Sequence, residues 1–288
     1  MTDWRAPRMS MRARRITGDI FYNALMIVLC LMVIYPLVWT FFSAFKTNQQ
    51  IFSETPLNLK PDPATLENFN RLFDIYDVKL MVFNGLYLSI LIPILSMLTS
   101  SMAAYALARL EFRGRNVVFL LLISTMMIPG YVTLIPNFAI MVKLRLLNSH
   151  MALILRSALS GSATSIFLFR QYFLSIPRDL ENAAIIDGCS WRGVFFRIIL
   201  PNSKPAIATV LILTFRSTWN AFLWPQLVLQ DDRLWTWTLA LKVLSEFETN
   251  QAVLLAGAVI SIVPVLVIYL LCQKYFVNSQ LSAGFGGT

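Results

Sequence analysis

The chain has 288 residues, of which 57% are hydrophobic and only 14% are charged. Soluble domains average roughly 25% charged residues, so this composition excludes an ordinary soluble domain and indicates a polytopic membrane protein. The three cysteines have no paired spacing, so the sequence indicates neither a disulfide framework nor a cysteine metal site. The net charge of +9 falls mainly on one side of the predicted membrane, so we expect lipid rather than nucleic acid as its neighbour.

Six apolar segments are long enough to cross a bilayer, which takes about 20 helical residues. The first follows an arginine-rich N-terminus, but it is too long for a signal peptide and lacks a small-residue cleavage site. Two prolines and a glycine in 127–136 predict a bent third span that lines a path, with plain bundle packing as the alternative. The sequence thus predicts one all-α transmembrane domain, 1–288, with spans at 20–45, 81–108, 117–142, 151–172, 206–228 and 251–272.

The loops between these spans differ in charge. Lys and Arg are in excess in the N-terminal tail, after the second span, and after the fourth span. Because cytoplasmic loops carry such an excess, both termini and the loop 177–201 are expected to lie in the cytoplasm. Loops 46–79, 143–150 and 229–249 are expected outside, and apolar spacing in 66–73 predicts a short interfacial helix there.

The loop 177–201 is the one long polar segment between two apolar spans whose sequence indicates a folded unit. Pro177 opens it, Gly188 is placed to end a first helix, and Ser190 is placed to cap a second. The second helix has one apolar stripe at helical spacing, and two prolines are expected to stop it. The stripe is Trp191, Phe195, Ile198 and Ile199, and the prolines are Pro201 and Pro205. We therefore expect two short helices at a membrane surface.

The order of residues in this loop also resembles a known motif, formed by Glu181, Ala183, Ala184, Asp187, Gly188 and Pro201. It is similar to the coupling loop of ABC importer permeases, and most similar to the sugar-importer branch. The family's glutamate, which pairs with the ATPase, falls on Asn182 here. The resemblance therefore implies either a hydrogen-bonded contact from Asn182 or an ion pair taken over by Glu181. It leaves open whether the Phe195–Ile198 side or the Ala183–Ala184 side meets the ATPase.

Two further stretches resemble the same family. The sequence WNAFLWP at 219–225 is similar to the W-N-x-F-x-W-P stretch of sugar permeases. The tail 274–288 is similar to the family's C-terminal ending, although Ser279 and Gln280 replace its first glycine and its final lysine is absent. The resemblance implies a type I ABC importer permease fold in a bacterial or archaeal cytoplasmic membrane.

That resemblance also implies the partners. They are two copies of an ATP-binding cassette ATPase, a second related permease subunit, and an extracytoplasmic solute-binding protein that delivers a carbohydrate. ATP and Mg would be bound by the ATPase, so no cofactor is expected in this chain.

The residues themselves exclude several chemistries. There is no G-x-x-x-x-G-K-[ST] loop, no H-E-x-x-H pair, and only one histidine. The predicted spans contain no Asp, Glu or His that would serve a proton-coupled carrier. We expect no catalytic residue and no metal site, and infer that a separate ATPase supplies energy through 177–201. An ABC permease for a non-sugar solute and an ATP-independent channel or carrier are the alternatives, and a membrane enzyme ranks last.

Besides Arg170, at the cytoplasmic end of the fourth span, two arginines lie within the predicted spans. Arg216 follows Pro205 by eleven residues, or about 16 Å of helix, which places it near mid-membrane. A lone arginine there costs about 2.5–3.5 kcal/mol. Either a partner-chain carboxylate or backbone carbonyls neutralise Arg216, or it faces the path with Arg156 and attracts an acidic oligosaccharide or a sugar phosphate. Arg156 could instead extend toward the outer surface.

Aromatic rings and amides suit sugars, because rings stack on the apolar faces of a sugar and amides bond to its hydroxyls. The candidates for such contacts are Trp219, Asn220, Trp224, Asn84 and Tyr87. Trp224 and Tyr87 equally fit a membrane-interface role, and Asn220 equally fits a helix–helix hydrogen bond. The small residues Ser157, Ser160, Gly161 and Ser162 are interpreted as a close helix-packing site.

Overall fold

The computed structural model describes the backbone of residues 11–158 and 162–284, and the side chains of 19–157 and 162–271. Every regular element within these ranges is a helix. The side chains of the N-terminal arginines and of the C-terminal tail, and the residues Ser160 and Gly161, lie outside the described part of the chain. Contacts group the chain into two units: one comprises the residues up to Leu72 with Glu248–Val259, and the other comprises Phe73–Phe247 and the residues from Ile260.

The first unit combines a long apolar helix with a compact polar segment. Helix α1 (Met11–Ser43) is followed by α2 (Asn48–Ser53) and α3 (Glu67–Ile75), so the helix predicted at 66–73 is confirmed. Lys46 is buried and pairs with Glu54 at 2.7 Å. The Asn68 amide donates to the carbonyls of Ala44 and Lys46, each at 2.8 Å. These bonds give the segment after α1 a defined structure.

The second unit contains most of the helices. In chain order they are α4 (Val78–Arg109), α5 (Arg115–Ser124), α6 (Leu134–Lys143), α7 (Met151–Ala158), α8 (Ala163–Ser175), α9 (Asp179–Ile186), α10 (Trp191–Val194), α11 (Lys204–Trp219), α12 (Leu223–Val228) and α13 (Trp237–Phe247). Helix α14 (Gln251–Gly284) begins in the first unit and continues in the second. Short 3-10 turns occur at Thr125–Met127, Pro201–Ser203 and Asp232–Leu234.

Helix α4 is the centre of the second unit and packs mainly against α8 and α11. At Gly85 the approach to α11 is so close that an added Cβ would lie 2.9 Å from a ring carbon of Trp219. The Trp219 indole N–H donates to the Ser261 carbonyl at 3.0 Å. A glycine on one helix and a large ring on the next therefore set the spacing of α4 and α11.

Four described helices are long and apolar enough to cross a membrane: Asp19–Ser43, Val78–Arg109, Trp191–Trp219 and Gln251–Leu271. The segments 117–142, 151–172 and 206–228, each predicted as one span, are interrupted. The segment 117–142 contains two shorter helices, Arg115–Met127 and Leu134–Lys143, and a turn at Pro129 and Gly130 separates them. A break at membrane depth requires neighbours or a cavity to satisfy the freed backbone groups.

The expectation that Pro201 ends the second helix of the loop is wrong, because Trp191–Trp219 is one continuous helical path. A π-helical turn, Phe195–Ile199, widens the helix, and the Leu200 amide bonds to the Phe195 carbonyl at 2.9 Å. Pro201 then begins a 3-10 turn, and Pro205 lies in the first turn of α11, where a missing N–H removes no helical bond. Both prolines therefore start helical turns.

Candidate functional site

The turn after α9 has the geometry expected of a helix stop. Gly188 adopts a left-handed φ of +81°, where any other residue would be strained. The Gly188 amide donates to the Ile185 carbonyl at 3.0 Å, and the Cys189 amide donates to the Ala184 carbonyl at 2.9 Å. This pair of bonds is the Schellman pattern, so the predicted role of Gly188 is confirmed.

The helix after this turn is fixed at its start and buried along one side. The Ser190 hydroxyl accepts a hydrogen bond from the Gly193 amide at 3.3 Å, which confirms the predicted cap. Phe195 is 3% exposed, and its ring lies 5.2 Å from that of Tyr105 on α4. Phe195 therefore packs inside its own chain, which corrects its assignment as a contact residue, whereas Ile198 on the same side is half-buried.

The loop is exposed on α9 and also on the second helix, where Trp191 and Phe196 each retain 51% of their accessible surface. Asn182, Ala183 and Asp187 are exposed, and Ile186 retains 84% of its accessible surface. Ala184 is half-buried against the core beneath. The Ala183–Ala184 side of the loop is therefore accessible to a neighbour.

Glu181 faces the opposite way and is buried beside Arg109 at the C-terminal end of α4. Its Oε1 lies 2.8 Å from Arg109 Nε, and both side chains are more than nine-tenths buried. The Arg109 guanidinium also donates to the carbonyls of Phe173 and Ile176, the latter at 2.6 Å. Of the two alternatives left open for the ATPase contact, only Asn182 is placed at the surface.

The ionisation of Glu181 is set by its surroundings. Burial raises the pKa of its carboxyl above the ordinary value, while the charges of Arg109 and then Arg178 oppose that rise. Arg109 therefore limits the rise in the pKa that burial causes, because an opposite charge nearby favours the ionised form.

A cavity of about 940 Å³ lies among α4, α6, α7, α8 and α11. Its described wall includes eight hydroxyl groups, one amide and one guanidinium, and it includes no carboxylate. The hydroxyls belong to Ser96, Ser157, Ser162, Thr164, Ser165, Thr214, Ser217 and Thr218, the amide to Asn137, and the guanidinium to Arg156. Each hydroxyl can donate one hydrogen bond and accept two, so this wall suits a solute that carries many hydroxyl groups.

Arg156 lies on an aromatic surface at the wall of this cavity. Its guanidinium carbon is 4.5 Å from the ring centroid of Trp224, within the range of a cation–π interaction. The Trp224 indole N–H donates to the Ala152 carbonyl at 3.3 Å, and the ring is 6% exposed. Trp224 therefore packs against the Arg156 guanidinium, and little of its own surface is accessible to a solute.

Residues 96–278 match the model of the family described as binding-protein-dependent transport system inner membrane component. The chain belongs to this family. It is accordingly a multi-pass membrane permease component of a transport system of that class.

Similar proteins extend the match to nearly the whole permease. The arabinooligosaccharides transport system permease protein AraQ of Halalkalibacterium halodurans is 37% identical over 89% of this chain and 92% of its own length. The sn-glycerol-3-phosphate transport system permease protein UgpE of Yersinia enterocolitica is 31% identical over 92% of this chain and 96% of its own.

A solved structure shares the permease fold. The crystal structure of a bacterial ABC transporter involved in the import of the acidic polysaccharide alginate contains a chain with a TM-score of 0.81 and 26% identity. The match covers 94% of this permease and all of that chain. The expected ABC importer permease fold is therefore confirmed.

The structure places the predicted path residues of α11 away from the cavity. Trp219 is 2% exposed and packs on Gly85. Arg216 and Asn220 are exposed, and neither belongs to the cavity wall, whereas their neighbours Ser217 and Thr218 do. Successive helical residues differ by about 100°, so a one-residue step along α11 moves a side chain off the cavity-facing side.

The remaining candidates lie near the segment before α13. The Asn84 amide is 5% exposed and donates to the carbonyls of Arg233 and Trp235, at 2.9 and 3.1 Å. Tyr87 is half-buried with its ring 5.7 Å from that of His150, whose Nε2 lies 2.8 Å from the Leu234 carbonyl. Asn84 thus holds a loop to α4 and is not a cavity contact.

Sequence reasoning missed two features of the site. Arg109 was interpreted only as a topology signal, although an arginine directly after an apolar span can turn inward when a carboxylate is available. Ser157 and Ser162 were interpreted as helix packing, but they line the cavity. Small hydroxyl residues serve both purposes, and only the paths of the interrupted helices decide between them.

Proposed function

We propose that this permease carries a carbohydrate into the cytoplasm as one membrane subunit of an ATP-driven importer. The single observation that carries the proposal is the hydroxyl-lined cavity of about 940 Å³. Binding sites for small molecules typically occupy 300–1,000 Å³, so its size suits a mono- or oligosaccharide. Similarity to AraQ, whose name refers to arabinooligosaccharides, supports a carbohydrate over other solutes.

The proposed mechanism uses the exposed side of α9. A pair of ATPase subunits, which bind ATP and Mg, dock beneath this chain and a second, related permease. Asn182 and Ala183 contact one ATPase subunit, and the Schellman turn at Gly188 sets the angle of that contact. Closure of the ATPase pair moves α9, and the cavity opens to the outside, where a binding protein delivers the solute. In this proposal both termini face the cytoplasm, and this chain itself has no catalytic group.

A finer proposal concerns the charge of the solute. Arg156 is the ionisable residue in the described wall of the cavity, and Trp224 orients it. A guanidinium recognises a carboxylate or phosphate with paired hydrogen bonds. Arg156, rather than Arg216, is thus the residue we assign to attraction of an acidic saccharide or a sugar phosphate. The names of UgpE and of the alginate importer refer to acidic solutes, which is consistent with this assignment.

The test is reconstitution of the co-purified complex in proteoliposomes with ATP on the ATPase side and the binding protein on the other. The probes are arabino-oligosaccharides, oligogalacturonates, sn-glycerol 3-phosphate and glutamine. We expect ATP-dependent uptake of at least one saccharide and none of glutamine. Uptake of glutamine alone would overturn the carbohydrate assignment, and flux through this chain without an ATPase would favour the channel alternative.

A further inference from the structure

The C-terminal end of α4 is bonded to both helices that precede the Gly188 turn. Arg109 pairs with Glu181 in the first turn of α9, at 2.8 Å, and donates to the carbonyls of Phe173 and Ile176 at the end of α8. We call this group the Arg109 clamp: the Arg109 guanidinium, the Glu181 carboxylate and those two carbonyls. It joins α4, α8 and α9 at one buried point.

The chemistry of the clamp favours orientation over stability. Withdrawing two charges from water is expensive, and replacing a buried ion pair by apolar residues is often neutral or stabilising. The planar guanidinium, however, directs its donors in fixed directions, and the carbonyls at the end of a helix attract a cation. A group of this kind fixes the angle at which α9 leaves α4 and α8.

The other two helices of the clamp, α4 and α8, connect α9 to the cavity. Ser96 on α4 and Thr164, Ser165 and Leu168 on α8 line its wall. α4 is one uninterrupted helix, and Ser96 precedes Arg109 by thirteen residues, or about 20 Å of helix. A displacement of α9 that is delivered through Arg109 therefore moves two walls of the cavity.

We propose that Arg109 and Glu181 are positioning residues that transmit the motion of α9 to the cavity wall. The proposal rests on the proposed function, because it requires an ATPase to move α9. Loss of the pair leaves the loop attached, since Val194, Phe195 and Ile199 stay buried in the core beside α4 and α8. Removing the clamp thus disconnects ATP turnover from cavity opening without detaching the loop.

The experiment uses the assembled complex with Cys30, Cys189 and Cys272 replaced by alanine. A cysteine in place of Ser157, an exposed residue of the cavity wall, is labelled with a membrane-impermeant maleimide from the binding-protein side. Labelling is compared between the nucleotide-free and the vanadate-trapped complex, and ATP turnover is measured on the same sample. The variants are Glu181→Gln, Arg109→Gln and the double variant.

The matched control is Asp179→Asn, which removes a carboxylate from the same turn of α9 at an exposed position. We expect the vanadate-dependent change in labelling to fall at least about threefold in Glu181→Gln, with ATP turnover within about twofold of the parent. The double variant should be no worse than either single variant, because all three remove the same pair. Asp179→Asn should match the parent.

Each other outcome overturns a defined part of the proposal. A full labelling change in Glu181→Gln, or a parallel fall of labelling change and ATP turnover, would contradict transmission through the clamp. Additive losses in the double variant would contradict the pairing. If Arg109→Gln fails to assemble, Glu181→Gln alone decides. Absence of any labelling change in the parent complex would contradict the proposed function itself.

Discussion

Arg109 and Arg156 are both withdrawn from solvent, but the structure neutralises them differently. Arg109 is enclosed by a carboxylate and two carbonyls, and it borders a core of buried side chains on α4, α8 and the loop helices. Arg156 is half-buried on the ring of Trp224 and borders a cavity. Arg109 is thus enclosed by groups of its own chain, whereas Arg156 borders a cavity that a solute could enter.

The largest expected effect comes from replacing Arg109, which removes the buried cation beside Glu181. Arg109→Met leaves the Glu181 carboxylate buried without its partner, which should cost about 3–5 kcal/mol in stability. Burial already raises the pKa of Glu181, and loss of Arg109 raises that pKa further. Because the folded-state pKa then lies above the unfolded value, the folded form binds more protons and stability falls as pH rises through the raised pKa. Thermal unfolding of the purified complex should show a larger deficit at neutral than at acidic pH.

The control for this prediction removes both charges. Arg109→Met with Glu181→Leu should recover most of the lost stability, since an apolar replacement leaves no buried charge. Asp179→Asn, at an exposed carboxylate, should stay within about 0.5 kcal/mol of the parent. If the double variant were as unstable as Arg109→Met alone, the clamp would contribute to the stability of the fold and would not serve orientation only.

The next effect concerns the turn at Gly188, which follows α9. Gly188→Ala forces a side chain into left-handed φ, at a cost of about 1–2 kcal/mol. We expect ATPase subunits to bind the permease up to about tenfold more weakly, because a smaller fraction of the loop holds the binding geometry. Titration of labelled ATPase against the permease in nanodiscs measures this change.

Gly114 provides a matched position for that experiment. It has φ of +88°, and an added Cβ at either glycine would meet no atom within 4 Å, so both substitutions act through the backbone alone. Gly114→Ala should carry the same strain without weakening ATPase binding. Equal weakening by both variants would mean that the Gly188 turn has no particular part in the contact.

The sequence predicted the features that depend on local chemistry. Gly188 and Ser190 were predicted correctly because a left-handed turn and a helix cap are set by a few neighbouring residues. Pro201 was interpreted wrongly because a proline both ends one helix and starts the next, and local sequence does not decide which applies. The inward turn of Glu181 and the burial of Phe195 depend on α4, which lies far away in the chain, so spacing alone could not reveal them.

The smallest expected effect concerns Arg156, the arginine that borders the cavity. Arg156→Gln should lower uptake of oligogalacturonate relative to a neutral arabino-oligosaccharide by about two- to fivefold, since a charge contact in a solvated cavity contributes about 1 kcal/mol or less. The measurement is competitive uptake in proteoliposomes under ATP. The expected result depends on Trp224, because the ring holds the guanidinium at the cavity wall.

Arg216→Gln is the matched control, since it removes the same charge from α11 at a residue outside the cavity wall. It should leave the ratio of acidic to neutral uptake unchanged. A greater change of that ratio in Arg216→Gln than in Arg156→Gln would return the selectivity to α11, as the position of Arg216 in the sequence first indicated. If Arg156→Gln lowered uptake of the acidic and the neutral saccharide equally, Arg156 would have a structural role, like Arg109, and no role in selecting the solute.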